Sequence, residues 1–192
     1  MRKPDTGSPA SPPPDEAALH EAALAHLARY ATTRTGLTRV LDRRVDRWAR
    51  TAAPDVAEAA RPALRETVRA VVARLAAAGV VDDAAFAEAR ARSLARSGRS
   101  RRAIAAHLAA RGVGSDMTEA ALPDAPDAEL AAALACARRR RIGPFRPEGT
   151  VADPKREFGV LARAGFSHDI AARALASDPE TAEALVAALR RG

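Results

Sequence analysis

The sequence predicts an all-α chain built as a tandem array of short three-helix, helix-turn-helix-like modules. Three observations predict it. Of 192 residues, 51 are alanine and only 3% are aromatic. Each buried side chain therefore removes little area from water, and folding has to draw on several thin helix–helix seams rather than one thick core. The β-branched and aromatic residues that fill a sandwich or barrel are missing. Finally, one pattern recurs three times: Leu75, Gly79, Val80, Asp83; Leu108, Gly112, Val113, Asp116; and Leu161, Gly165, Phe166, Asp169. Leucine stands four before glycine, an apolar residue follows it, and aspartate stands four after. Glycine takes the left-handed conformation that ends a helix, the apolar residue tucks back on the preceding turn, and the carboxylate favours the next helix as a cap or in its first turn. The corners are 33 and then 53 residues apart, which suits unequal modules rather than a regular solenoid.

Taken in order, residues 1–15 hold Pro4, Pro9, Pro12, Pro13 and Pro14 and are expected to be a disordered tail. A first helical module is expected over 16–50. Leu19, Ala23, Leu27 and Tyr30 share one face of its first helix. Leu37, Leu41, Val45 and Trp48 share one face of its second, with Arg39, Arg43, Arg47 and Arg50 on the opposite side. Residues 51–62 carry Pro54 and Pro62 and read as a linker with at most a short helix, with Pro62 in the first turn of the next helix. A second module, 63–122, then holds Leu64, Val68, Val71, Val72 and Leu75. A helix with Phe86, Arg90 and Leu94 follows, then one capped by Ser100 with Ile104 and Leu108 inward, and a short one from Asp116. The break at Pro123 and Pro126 precedes a third module, 127–178. There Asp127 is expected to cap a helix that ends at Gly143 and Pro144, and a C-terminal helix occupies 179–192.

The net charge is +7, and all but two of the 31 basic residues are arginine. Such a surface attracts polyanions: nucleic acid, an acidic protein or a membrane face. No apolar run approaches the length needed to span a bilayer. Met1 to Asp5 lack the apolar segment of a secretory signal, so a soluble, cytoplasmic chain is expected. One cysteine, Cys136, excludes an intrachain disulfide and a cysteine zinc site, and it is expected to be a small buried hydrophobe. His20, His26, His107 and His168 are expected on different helices, without convergence. No phosphate-binding glycine loop and no zinc or serine-hydrolase motif is present. No enzyme, cofactor or metal site is expected, and Trp48 and Phe166 read as seam anchors rather than base-stacking platforms.

From Val80 to Val113 the chain resembles the RecX family, bacterial regulators of the RecA recombinase. The resemblance rests on Val81-Asp82-Asp83-Ala84-Ala85-Phe86-Ala87, on Gly98-Arg99-Ser100-Arg101-Arg102-Ala103-Ile104 and on Leu108-Ala109-Ala110-Arg111-Gly112-Val113. Lys155-Arg156-Glu157-Phe158 with Leu161 to Ser167 looks like the family's third module, and Ala22 to Trp48 fits its first more loosely, so 16–178 is covered. The insert at 51–62 and Ala164, where a basic residue is expected before Gly165, depart from the pattern. The resemblance implies an elongated, curved array that lies in the groove of the RecA–DNA filament and bridges protomers. It further implies inhibition of recombinase, ATPase and coprotease activities, a role in DNA repair, homologous recombination and the SOS response, and weak, non-specific contact with single- and double-stranded DNA. A monomer is expected. The alternative is a helix-turn-helix DNA-binding transcriptional regulator, against which stand Asp116 and Asp169 at the phosphate-facing ends of the reading helices.

The candidate partner- or DNA-binding residues are Arg39, Arg43 and Arg47; Arg99, Arg101 and Arg102; and Arg138, Arg139 and Arg141. Arginine's planar fork matches carboxylates and phosphates. Four successive arginines, 138–141, span a helix circumference, so at least two must face solvent.

Overall fold

The structure, a computed structural model, describes residues 12–125 and 127–191. Most of the expected tail lies outside the described residues. Among those described there are ten α-helices and no strand. The chain divides into two compact units, Met1–Asp83 and Ala84–Gly192.

The first unit is a three-helix bundle of α1 (Glu16–Leu27), α2 (Arg34–Ala49) and α3 (Pro54–Ala77). The Asp15 carboxylate caps α1 by accepting from Ala18 N–H at 2.8 Å. Thr33 caps α2 through Gly36 N–H at 2.9 Å. The Asp83 carboxylate also serves α2, taking the Arg34 N–H at 2.8 Å, although the sequence pattern assigned it to the helix that begins with it. Leu19 and Ala23, Leu37, Leu41, Val45 and Trp48, and Leu64, Val68, Val71 and Leu75 fill the core. Tyr30 falls past the end of α1 and is exposed.

From Pro54 on, the expected linker at 51–62 is helix. Pro54, rather than Pro62, occupies the first turn of α3, and Pro62 lies inside it. A proline within a helix forfeits one backbone hydrogen bond and costs about 3 kcal/mol. Here the apolar stripe runs straight through it: Ala57 on one side and Leu64, Val68, Val71, Val72 and Leu75 on the other are all buried, each large side chain contributing about 1.5–3 kcal/mol. The stripe outweighs the break. Consequently α3 packs with α1 and α2 in the first unit, which runs on to Asp83.

The second unit starts with α4 (Asp83–Arg96), α5 (Arg101–Ala110) and α6 (Ser115–Ala121). The inward stripe of α4 is Ala87, Ala91 and Ala95, fully buried against Ile104, Leu108, Val113 and Leu122. Phe86 and Leu94 are only partly buried. Apolar bulk misleads at this seam: the side chains buried here are small. Four further helices follow: α7 (Ala128–Arg140), α8 (Pro154–Arg163), α9 (His168–Ala176) and α10 (Pro179–Arg191), with a 3₁₀ turn at Gly143–Phe145. Leu130, Leu134, Cys136, Leu161, Phe166, Ala171, Ala174, Ala182 and Val186 form their core. Asp127 sits at the N-cap of α7 without a capping bond; its carboxylate instead faces Arg173 at 3.6 Å. The helix ends at Arg140, with Arg141 left-handed at φ 55°, before the expected Gly143.

Candidate functional site

The nine candidate arginines do not form one group. Arg39, Arg43 and Arg47 are exposed on α2 in the first unit, on the side away from Leu37, Leu41 and Val45. This follows the four-residue spacing read from the sequence.

Two candidates in the second unit hold the fold together. Arg101 donates Nη1 to the Pro123 carbonyl and Nη2 to Glu119 Oε1 at 2.8 Å. Its backbone N–H reaches Glu129 Oε2 at 2.9 Å. These bonds fasten α5 to α6, to the following loop and to α7. Burial raises the Glu129 carboxyl above its ordinary value, against the pull of the Arg101 N–H and charge. Arg138 donates to Glu183 Oε2 at 2.9 Å and fastens α7 to α10. Arg102 and Arg141 are exposed.

The remaining two, Arg99 and Arg139, meet at a cavity of ≈300 Å³ lined by Gly98, Arg99, Cys136, Arg139, Arg140, Val160, Arg163 and Ala164. Two close approaches build it. Gly98 ends α4 at φ +75°, and a Cβ placed there would stand 2.6 Å from the Cys136 backbone nitrogen. The corner thus lies directly on α7, which puts Arg99 beside the Cys136 face. Arg139 and Arg140, three and four residues further on, share that face. Two residues past Gly98, Ser100 Oγ donates to the Ala164 carbonyl at 3.1 Å. A Cβ at Gly165 would lie 2.4 Å from that Oγ. This second contact brings the end of α8, and Arg163, to the same place. Arg163 lies over Gly159, where a Cβ would stand 3.2 Å from its Nη1.

Four arginines therefore line one cavity, and no acidic residue lines it. Among the described residues none of the four is in an ion pair. Arg140 and Arg163 are absent from the candidates read in the sequence. The signals that could have found them are the spacing from Cys136 and the glycine four residues before Arg163.

The other polar groups do not converge on a reacting centre. His20 and His26 share α1, contrary to the expected distribution; His107 is on α5 and His168 on α9. His107 Nε2 accepts from Arg90 Nε at 3.1 Å. Burial first, then the charges of Arg90, Arg111 and Arg99, hold its pKa below the ordinary value. Glu157, buried, takes Arg146 Nε at 2.9 Å and Nη2 at 2.7 Å and the Gly143 N–H at 3.1 Å. The Arg146 hydrogen bonds chiefly hold its carboxyl below the usual range, against the effect of burial. This cluster pins the loop after α7 to α8. Cys136 is buried. Among the described residues no group of histidine, cysteine and carboxylate side chains could hold a metal ion, and no helix is long and apolar enough to cross a membrane.

A family model described as RecX, second three-helix domain, matches residues 82–122, the span of α4–α6. The chain is 41% identical over 165 residues to the regulatory protein RecX of Myxococcus xanthus, covering 84% of this chain and 86% of that one. It is 42% identical over 106 residues to that of Agrobacterium fabrum, covering 54% and 55%. Against that of Thermobifida fusca it is 39% identical over 116 residues, covering 60% and 63%.

Proposed function

The chain belongs to the RecX family of regulatory proteins, and on that premise we propose that it regulates a RecA recombinase by binding the RecA–DNA filament and inhibiting its activities. The observation that carries this reading is the match of most of the chain to a regulatory protein RecX. The surface chemistry agrees with it. Both units expose arginines, including Arg43 and Arg47 on α2 and Arg102, Arg139 and Arg141 in the second unit, and a filament of protein on DNA offers carboxylates and phosphates to such groups. Several weak contacts made by one chain raise affinity through effective concentration, so a bridge across neighbouring protomers needs no deep pocket. Occupying the groove obstructs the incoming duplex and the cleavable repressor, and action by contact requires no catalytic group. The protein works as a monomer in the cytoplasm, with weak and sequence-blind contact to DNA.

A sequence-reading helix-turn-helix regulator fits less well. Asp116 and Asp169 stand in the first turns of α6 and α9, where a carboxylate repels DNA phosphates, and α6 has only seven residues. The test is DNA-dependent ATP hydrolysis and strand exchange by RecA from the same species. Substoichiometric protein should lower both; no effect at equimolar protein overturns the proposal.

A further inference from the structure

We infer that the cavity between Gly98, α7 and α8 is a phosphate-binding seat, with Arg99, Arg139, Arg140 and Arg163 as its donors. The inference goes beyond recombinase binding and does not depend on it. The simplest competing explanation is that the arginines only neutralise helix ends. Three helices, α4, α7 and α8, finish at this cavity. Each C-terminus carries about half a negative charge, so together they offset about one and a half of the four positive charges. No carboxylate lines the wall to balance the rest. Elsewhere in the same unit Arg101, Arg138 and Arg146 each have a glutamate partner at 2.7–2.9 Å. Other arginines of the unit, Arg102 and Arg141 among them, are also outside any ion pair among the described residues. Arg99, Arg139, Arg140 and Arg163, each exposed, are the ones that line a common cavity, where the two glycine contacts bring the ends of α4, α7 and α8 together.

The walls also narrow the ligand. Apart from arginine they are Gly98, Cys136, Val160 and Ala164. They offer no aromatic ring to stack on a base and no acidic acceptor for a sugar hydroxyl or an amine. What remains is recognition of an anion by several planar forks, the chemistry of phosphate. A volume of ≈300 Å³ has room for about ten waters at liquid density, hence for two linked phosphate groups. Gly159 is consistent with this use. A glycine within a helix costs about 1 kcal/mol relative to alanine, and here it lets the Arg163 guanidinium lie across α8. Two sources present that chemistry: consecutive diesters of a nucleic-acid backbone, and a free phosphate chain.

The test uses the full chain. Calorimetric titration with inorganic pyrophosphate and anisotropy of a labelled oligothymidylate are compared for wild type and two charge-matched variants, Arg140→Gln/Arg163→Gln and Arg65→Gln/Arg190→Gln. Pyrophosphate affinity should fall at least tenfold in the first variant and less than twofold in the second. A parallel fall for the oligonucleotide, with its log–log salt slope shallower by about two, assigns the seat to a nucleic-acid backbone. A fall for pyrophosphate alone assigns it to a free phosphate chain. Equal losses in both variants, no loss in the first, or tighter binding of a polyglutamate peptide than of pyrophosphate overturns the inference. Should the glutamine variant unfold by circular dichroism, Arg140→Lys/Arg163→Lys replaces it. That variant keeps the charge and loses the forks, so affinity should drop threefold or more, and wild-type affinity overturns the inference. Loss of pyrophosphate binding with ATPase inhibition retained leaves the proposed regulation standing; the converse result separates the two the other way.

Discussion

Gly98→Ala tests the contact on which the geometry of the second unit turns. Two costs add at this position. The first is conformational: φ is +75°, and an L-residue there loses about 1–2 kcal/mol, partly offset by a gain of about 0.4–1 kcal/mol from a stiffer unfolded chain. The second is steric. The new methyl would stand 2.6 Å from the Cys136 nitrogen and 2.8 Å from its Cα, backbone atoms that move only if α7 moves, and overpacking of this kind costs about 1–3 kcal/mol. Gly149→Ala isolates the first cost. Its φ is +76° and nothing lies within 4 Å of the added carbon. Urea unfolding followed by far-UV circular dichroism should therefore show Gly98→Ala to be less stable than Gly149→Ala by about 1–3 kcal/mol. Equal losses within about 0.5 kcal/mol would refute the close approach of the α4 corner to α7, and with it the placement of Arg99 beside Arg139 and Arg140.

Two further outcomes follow from the titrating groups. The Glu157 carboxyl is held low in the folded state by Arg146, so its contribution is present above the unfolded carboxylate pKa of about 4.3 and disappears as pH falls through the lower folded value. The urea midpoint of Glu157→Gln should thus lie below wild type at pH 7 and approach it in acid; a gap independent of pH would contradict the Arg146 pairing. His107 stays neutral to a lower pH than a free imidazole because of burial and its arginine neighbours. Its proton resonances should titrate with a midpoint below 6.5, and as pH falls through that value the unfolded chain takes up a proton that the folded one refuses, reducing stability. A midpoint above 6.5 would contradict the burial of His107 among Arg90, Arg111 and Arg99.

Local rules carried the reading of helix existence and corners a long way, because their causes are local. Gly79, Gly98, Gly112 and Gly165 all have positive φ, and Ser100 and Ser167 both cap the helices that follow them. Where one element had to be weighed against another, the same rules failed. Pro54 and Pro62 look alike as breakers, yet one begins a helix and the other is overridden by an apolar stripe whose value depends on α1 and α2 packing against it. Asp83 looks like a cap for its own helix, yet its carboxylate goes to Arg34, a partner 49 residues away. Phe86 and Leu94 have the bulk expected of a core, while the fully buried stripe of α4 is alanine, which apolar bulk alone does not single out.

The arginines show the same division with more consequence for function. In sequence Arg101, Arg102, Arg138, Arg139, Arg140 and Arg141 differ little, and charge density alone ranks them together. Folding sorts them by whether a carboxylate is delivered to them. Glu119 and Glu183 arrive at Arg101 and Arg138 from other helices, converting two candidates into fasteners. Among the described residues no carboxylate pairs with Arg99, Arg139, Arg140 or Arg163, which line one cavity. Replacing the whole run 138–141 would therefore mix two effects. Losing Arg138 strips Glu183 of its partner and loosens α10, whereas losing Arg139 or Arg140 removes positive charge from a wall that already has an excess of it. A surface role for this region has to be assigned with Arg138 left in place.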